Sequence, residues 1–86
     1  MYYVYFLVLK DGSIYKGSTE RLSERYREHS LGKVESTRYK RPLILLGLEV
    51  YMLKSDAQRR ERFLKTSEGR RLLYQQYRDS IDQNKN

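Results

Sequence analysis

The sequence predicts a single small α+β domain, on three observations. Three short runs rich in β-branched and aromatic residues alternate with runs of helical period. An Asp-Gly pair separates the first two strand-like runs, as in a hairpin. The 86 residues are enough for one modest core. Residues 1–79 are expected to form that domain, and 80–86 a polar, flexible tail.

Tyr2 to Leu9 is apolar at both parities, which suggests a strand covered on both faces. Lys10-Asp11-Gly12-Ser13 then makes the turn, and Ile14 to Gly17 is the return strand. In that arrangement Tyr3, Tyr5 and Leu7 share one face of the first strand, and Tyr15 and Gly17 share a face of the second. A helix is expected to follow, capped by Ser18 or Thr19, with Leu22 and Tyr26 inward, Arg21, Arg25 and His29 beside them, and Gly32 as its stop. Arg25 and His29 are four apart and so share a face.

Lys33 to Arg41 reads as a basic loop. After Pro42, Leu43 to Met52 is the third strand-like run, and Gly47 inside it suggests a bulge or a close backbone contact. Ser55 and Gln58 have the spacing of a capping box for a helix to about Lys65. Ser67 is the expected cap of a last helix through about Asp79, with Leu72, Leu73 and Tyr77 on its buried face.

The formal charge of +7 favours a polyanionic partner, nucleic acid ahead of an anionic membrane. Nine tyrosines and no tryptophan suit a small, aromatic-rich core. The absence of cysteine excludes disulfides and thiolate chemistry, and a single histidine leaves only carboxylates to complete a zinc site. No leader pattern and no run of membrane-spanning length is visible, so a cytoplasmic protein is expected.

Taken singly, the notable residues have ordinary explanations. Tyr5 and Tyr15 could be core aromatics, Glu61 among Arg59, Arg60 and Arg62 a surface ion pair, and Arg25 with His29 a solvated helix face. Their order says more. Tyr3-Val4-Tyr5, then Tyr15-Lys16-Gly17, then Arg25 and His29, then Glu61, resembles the GIY-YIG nuclease superfamily. The likeness is to its small single-domain bacterial members, which also resemble the N-terminal incision domain of the excision-repair nuclease UvrC. Local phrases agree: Tyr15-Lys16-Gly17-Ser18-Thr19, Ser36-Thr37-Arg38-Tyr39 before Arg41-Pro42, and Arg59-Arg60-Glu61 before Leu64-Lys65. The departures are Tyr3 for the usual Gly, Val4 for Ile, and Lys16 for the usual Ile or Val.

The resemblance implies a three-stranded antiparallel sheet flanked by helices, and hydrolysis of a DNA phosphodiester with one divalent ion, Mg²⁺ or Mn²⁺. Carried onto this chain, Glu61 would hold the metal, Tyr5 or Tyr15 would take the proton from the attacking water, Arg25 would steady the phosphate, and His29 would support proton transfer. The chemistry is coherent. Mg²⁺ prefers oxygen and keeps several waters, so one carboxylate anchor suffices. An arginine clamps phosphate with a permanent charge. A phenol ordinarily titrates near 10, and Arg25, Lys16 and the metal are expected to favour its phenolate.

Lys16, Arg38, Tyr39, Lys40, Arg41, Arg59, Arg62 and Lys65 are the expected nucleic-acid contacts, giving salt-dependent binding of weak sequence specificity. Stacking on Tyr39 would suit single-stranded or branched DNA. No small-molecule cofactor is expected. Two other readings stay open: a nucleic-acid-binding module of the same fold without catalysis, which Lys16 suggests, and a basic protein that docks on an acidic one.

Overall fold

Strand β1 (Tyr2–Val8) lies between β2 (Ile14–Thr19) and β3 (Ile44–Tyr51) in one antiparallel sheet of order β2-β1-β3. The computed structural model describes residues 1–84 of the chain. The central position accounts for the two-sided apolar pattern of β1: Val4, Tyr5, Phe6 and Leu7 are all buried. Helix α1 (Leu22–Ser30) covers one face of the sheet, where Tyr5, Leu7, Leu9 and Leu43 pack with Tyr15, Leu22 and Tyr26. Helices α2 (Lys54–Leu64), α3 (Ser67–Gln76) and α4 (Arg78–Gln83) cover the other, where Val4, Phe6 and Ile14 meet Ala57, Leu64, Leu73 and Ile81. Full burial of a side chain such as Phe6 or Leu64 is worth about 1.5–3 kcal/mol. The α+β, three-stranded antiparallel architecture is the one the sequence predicts.

The hairpin register sets which side chains share a face. Tyr5 lies opposite Gly17 and Leu7 opposite Tyr15 on the α1 side; Val4 lies opposite Ser18 and Phe6 opposite Lys16 on the other. Against β3 the register shifts between Phe6 and Leu7, which face Gly47 and Leu45, so Leu46 is the extra residue of a bulge. Gly47 also has the close neighbour its sequence context suggests, since a Cβ there would lie 2.5 Å from the Tyr77 hydroxyl. A bidentate pair from Arg60 to Glu49, at 3.0 and 3.1 Å, ties α2 to β3.

Several helix ends differ from expectation. Strand β2 runs two residues further than expected, because Ser18 and Thr19 stay paired with Val4 and Tyr3. They therefore cannot cap α1, whose N-cap is Arg21 without a side-chain bond. Helix α2 starts at Lys54, so Ser55 falls inside its first turn and the Ser55–Gln58 box is not made. The cap of α3 is Thr66 rather than Ser67; its hydroxyl donates to the Phe63 carbonyl and accepts from the Gly69 amide. Leu73 is buried but Leu72 is 38% exposed, and the helix ends at Tyr77, from which the chain restarts as α4. The expected flexible tail is helical through Gln83, with Ile81 buried in the core. Residues 85–86 lie outside the described residues.

Gly69 is where α3 meets α2 backbone to backbone. A Cβ there would collide with the Phe63 carbonyl oxygen and lie 2.7 Å from the Leu64 Cα. Helix propensity alone favours Gly69→Ala by about 1 kcal/mol, whereas overpacking against rigid backbone costs about 1–3 kcal/mol. Here the clash is with main chain, so Gly69→Ala is expected to destabilise the fold, read as a lower urea midpoint with unchanged slope.

Candidate functional site

The site begins where the hairpin leaves Gly17 without a side chain. The Tyr5 ring lies across it: a Cβ on Gly17 would be 2.6 Å from the Tyr5 hydroxyl and 2.7 Å from its Cζ. Helix α1 crosses the same face on Leu22 and Tyr26, and this seats His29, one turn beyond Arg25, at the bottom of the interface. His29 has 0% exposure and Tyr5 has 1%. The Tyr5 hydroxyl and His29 Nε2 are 2.8 Å apart, and His29 Nδ1 and the Thr37 hydroxyl are also 2.8 Å apart. Thr37 itself is fully buried, brought back over α1 by the left-handed turn at Gly32, φ +78°. Tyr15 closes the group, its ring 5.0 Å from that of His29 and 6.1 Å from that of Tyr5.

The electrostatics follow from burial. Burial, and then the Arg25 charge, push the His29 imidazole down, so it is held neutral. A neutral ring has one donor and one acceptor nitrogen, which suits two hydroxyl partners. Burial, reinforced by Tyr15, drives the Tyr5 phenol well above its ordinary value, and Arg25 opposes this only in part. Within the protein alone, burial at Tyr5 thus works against the phenolate that nearby cations would favour. Lys16 does not help either, because the register puts it on the opposite face of the sheet from the tyrosines. Arg25 keeps its side chain 38% exposed and donates to Glu28 at 2.9 Å.

Glu61 stands on the other side of the same strand. The Ser18 hydroxyl donates to its Oε1 at 2.5 Å and the Lys65 ammonium to its Oε2 at 2.8 Å. Burial pushes the Glu61 carboxyl up, but the bonds from Lys65 and Ser18 outweigh it and hold the group below the usual carboxylate range. It is therefore an anion at neutral pH, with a 22% exposed side chain. Strand β2 is at the sheet edge. The five expected catalytic residues thus surround one edge strand, with Tyr5, Tyr15, Arg25 and His29 over one face and Glu61 against the other.

Among the described residues no three acidic or histidine side chains converge on one point, so no cage of protein ligands exists for a metal. Glu61 carboxylate oxygens beside the Ser18 hydroxyl do offer a hard, all-oxygen donor set, which fits a divalent ion that keeps most of its waters.

The expected nucleic-acid contacts divide. Tyr39 is 85% exposed, with the Arg38 guanidinium 5.1 Å from its ring centre. Lys40 lies 3.5 Å from Asp11. Arg41 is exposed, donates to the Arg38 and Ser30 carbonyls and lies over Gly32, so it also closes the end of α1. Arg59 pairs with Asp56 at 2.8 Å, Lys65 with Glu61, and Arg62 is exposed. Two partners of the expected site residues are not marked by the sequence: Thr37, which bonds His29, lies in a basic loop, and Ser18, which bonds Glu61, has the composition of a helix cap.

The GIY-YIG catalytic-domain family model matches residues 1–77. The chain belongs to the GIY-YIG family. A UPF0213 protein of Staphylococcus haemolyticus is 39% identical over 66 residues, covering 76% of this chain and 80% of that one. A UPF0213 protein of Staphylococcus saprophyticus is 35% identical over the same shares. The solution NMR structure of the UPF0213 protein BH0048 from Bacillus halodurans superposes with a TM-score of 0.56 at 33% identity, over 87% of this chain and 84% of that one. Nucleases of the GIY-YIG family act on DNA and generally use a divalent metal ion. No helix among the described residues is long and apolar enough to cross a membrane.

The buried chain Tyr5–His29–Thr37 can be tested at its inner end. Thr37→Val keeps the shape but strands the His29 Nδ1, and an unsatisfied buried polar group costs about 1–3 kcal/mol. Thr37→Ser keeps the hydroxyl and is expected to recover most of that loss, as read from urea unfolding at pH 7.5.

Proposed function

We propose that this GIY-YIG protein is a metal-dependent endonuclease that hydrolyses DNA phosphodiester bonds with weak sequence specificity, favouring single-stranded or branched forms. The observation that carries the reading is the division of the site by exposure. Tyr15, Arg25 and Glu61 all retain access to solvent around the β2 edge, while Tyr5 and His29 are buried behind them.

On this reading Tyr15 takes the proton from the attacking water. Tyr5 is unsuited to that step, since burial keeps its phenol protonated and its hydroxyl is engaged with His29. Arg25, still partly free beyond its bond to Glu28, holds a phosphate oxygen of the scissile group. His29, neutral and inaccessible, holds the Tyr5 hydroxyl and through it the docking of α1, so its part is positioning rather than proton exchange with substrate. Glu61, oriented by Ser18, would hold Mg²⁺ or Mn²⁺, which supplies charge neutralisation at the phosphate and the leaving oxygen. Lys65 must then release Oε2. The exposed Arg38–Tyr39 pair offers a cationic stacking surface, which favours unpaired bases.

That Lys65 bond is also what favours the second reading, a nucleic-acid-binding module without catalysis, in which Lys65 permanently neutralises Glu61. One experiment separates the two. Labelled single-stranded, branched and duplex DNA is incubated with Mg²⁺ or Mn²⁺, or with chelator. Cleavage is expected only with metal, to rise from neutral toward alkaline pH, and to be lost in Glu61→Gln. Tyr15→Phe is expected to lose about 10²-fold or more, the usual range for a general base, and Tyr5→Phe distinctly less. Binding without cleavage in every condition would establish the inactive module instead.

A further inference from the structure

A second group of charges lies on the helix-covered face of β2, away from the tyrosines. Lys16 is on that face opposite Phe6, two residues before Ser18. Ser18 is bonded to Glu61 and Glu61 to Lys65, so these side chains run in a row from the strand to the end of α2. Helix α3 starts at once beyond Thr66, and its Gly69 packs directly on the α2 backbone. Arg70, the next residue, turns its guanidinium back to the Thr66 carbonyl at 3.4 Å, beside the residue that follows Lys65. Burial, and then the like charges of Arg70 and Lys65, depress the pKa of the half-buried Lys16. Three cations thus lie close together on this face, and of the three only Lys65 is bonded to the Glu61 carboxylate. For the isolated fold this is unfavourable, since like charges repel and a half-buried ammonium is poorly solvated. An anion placed among them would offset both costs.

We propose that Lys16, Lys65 and Arg70 form a second phosphate site, which takes a neighbouring backbone phosphate of the same nucleic-acid strand. The inference rests on the nuclease reading above and specifies how the strand lies. A scissile phosphate served by Arg25 on one face of β2 and Glu61 on the other must sit at the outer edge of the strand, beside Gly17 and Ser18. A chain that continues over that edge meets the Lys16 group next. A flexible single strand can make this crossing, whereas bending stiff duplex over one β-strand is costly.

The test is binding of a short labelled oligothymidine in chelator, where no cleavage occurs, over a range of salt concentrations. A Lys16→Met/Arg70→Met double variant is compared with wild type and with Arg71→Met/Arg78→Met, a charge-matched control on exposed positions. Single-strand binding loses a slope of about 0.7 in log K against log salt for each phosphate contact removed. The double variant is therefore expected to bind more weakly with a slope shallower by about 1.4, and the control to keep the wild-type slope. Melting curves verify folding, and Lys16→Gln alone reads the same slope should the double variant unfold. Equal loss in both double variants, or no loss in either, overturns the site while leaving the nuclease reading intact. Wild-type protein that fails to bind at low salt overturns both.

Discussion

The contact between Tyr5 and His29 is the one on which the site depends. It joins the central strand to α1 across 24 residues of sequence, and it is completed by Thr37 from the loop beyond. Every member is buried, and among the described residues no buried side-chain polar atom is left without a partner. In such surroundings a satisfied network is strong and a broken one expensive. Gly17 must lack a Cβ for the Tyr5 ring to lie flat across β2. The helix must end at Gly32 for Thr37 to return. Arg25, one turn before His29, takes its place over the same face as a consequence. The positions of the exposed groups are thus set by the buried ones, whose own chemistry is only to stay neutral and hydrogen-bonded.

On the proposed reading, the edge position of β2 then allows two chemistries to meet without a deep pocket. One face supplies aromatic hydroxyls and an arginine, and the other supplies an anionic carboxylate with its hydroxyl partner. In a strand paired on both sides, a single substrate atom could not reach both faces. The second helical layer keeps the carboxylate side rigid through the Arg60–Glu49 fork and the Gly69 contact. On the proposed reading, the charge of α2 and α3 beside Glu61 extends the same surface toward substrate.

Most of the frame is legible in the sequence because it is written in local patterns. Two-sided apolar character marks β1, Asp11-Gly12 marks the hairpin, and Gly47 marks the bulge. The order of tyrosines, Arg25, His29 and Glu61 is enough for the family. What is not legible depends on tertiary pairing. Ser18 and Thr19 have the composition of a cap, but the ladder with β1 keeps them extended and gives Ser18 to Glu61. Ile81 alone in a polar run gives no helical period, yet it finds the core once Tyr77 breaks α3. Thr37 and Arg41 look alike as loop residues, and only the fold turns one into the partner of His29 and the other into a tie for α1. The burial that works against a phenolate at Tyr5 is not legible either, because charge neighbours can be guessed from sequence order while burial cannot.

The most direct measurement is ¹⁵N NMR of the imidazole of His29, the one histidine of the chain, as a function of pH. With its pKa depressed in the fold, the ring should show one protonated and one bare nitrogen from pH 8 to below 6.5, the ordinary value. The unfolded chain takes up a proton in that window and the folded one does not. Stability should therefore fall as pH drops below about 6.5, by up to about 1.4 kcal/mol per pH unit. An imidazole that titrates near 6.5 or above in the folded protein would mean that it is not locked between Tyr5 and Thr37, and would contradict the arrangement on which the site is built.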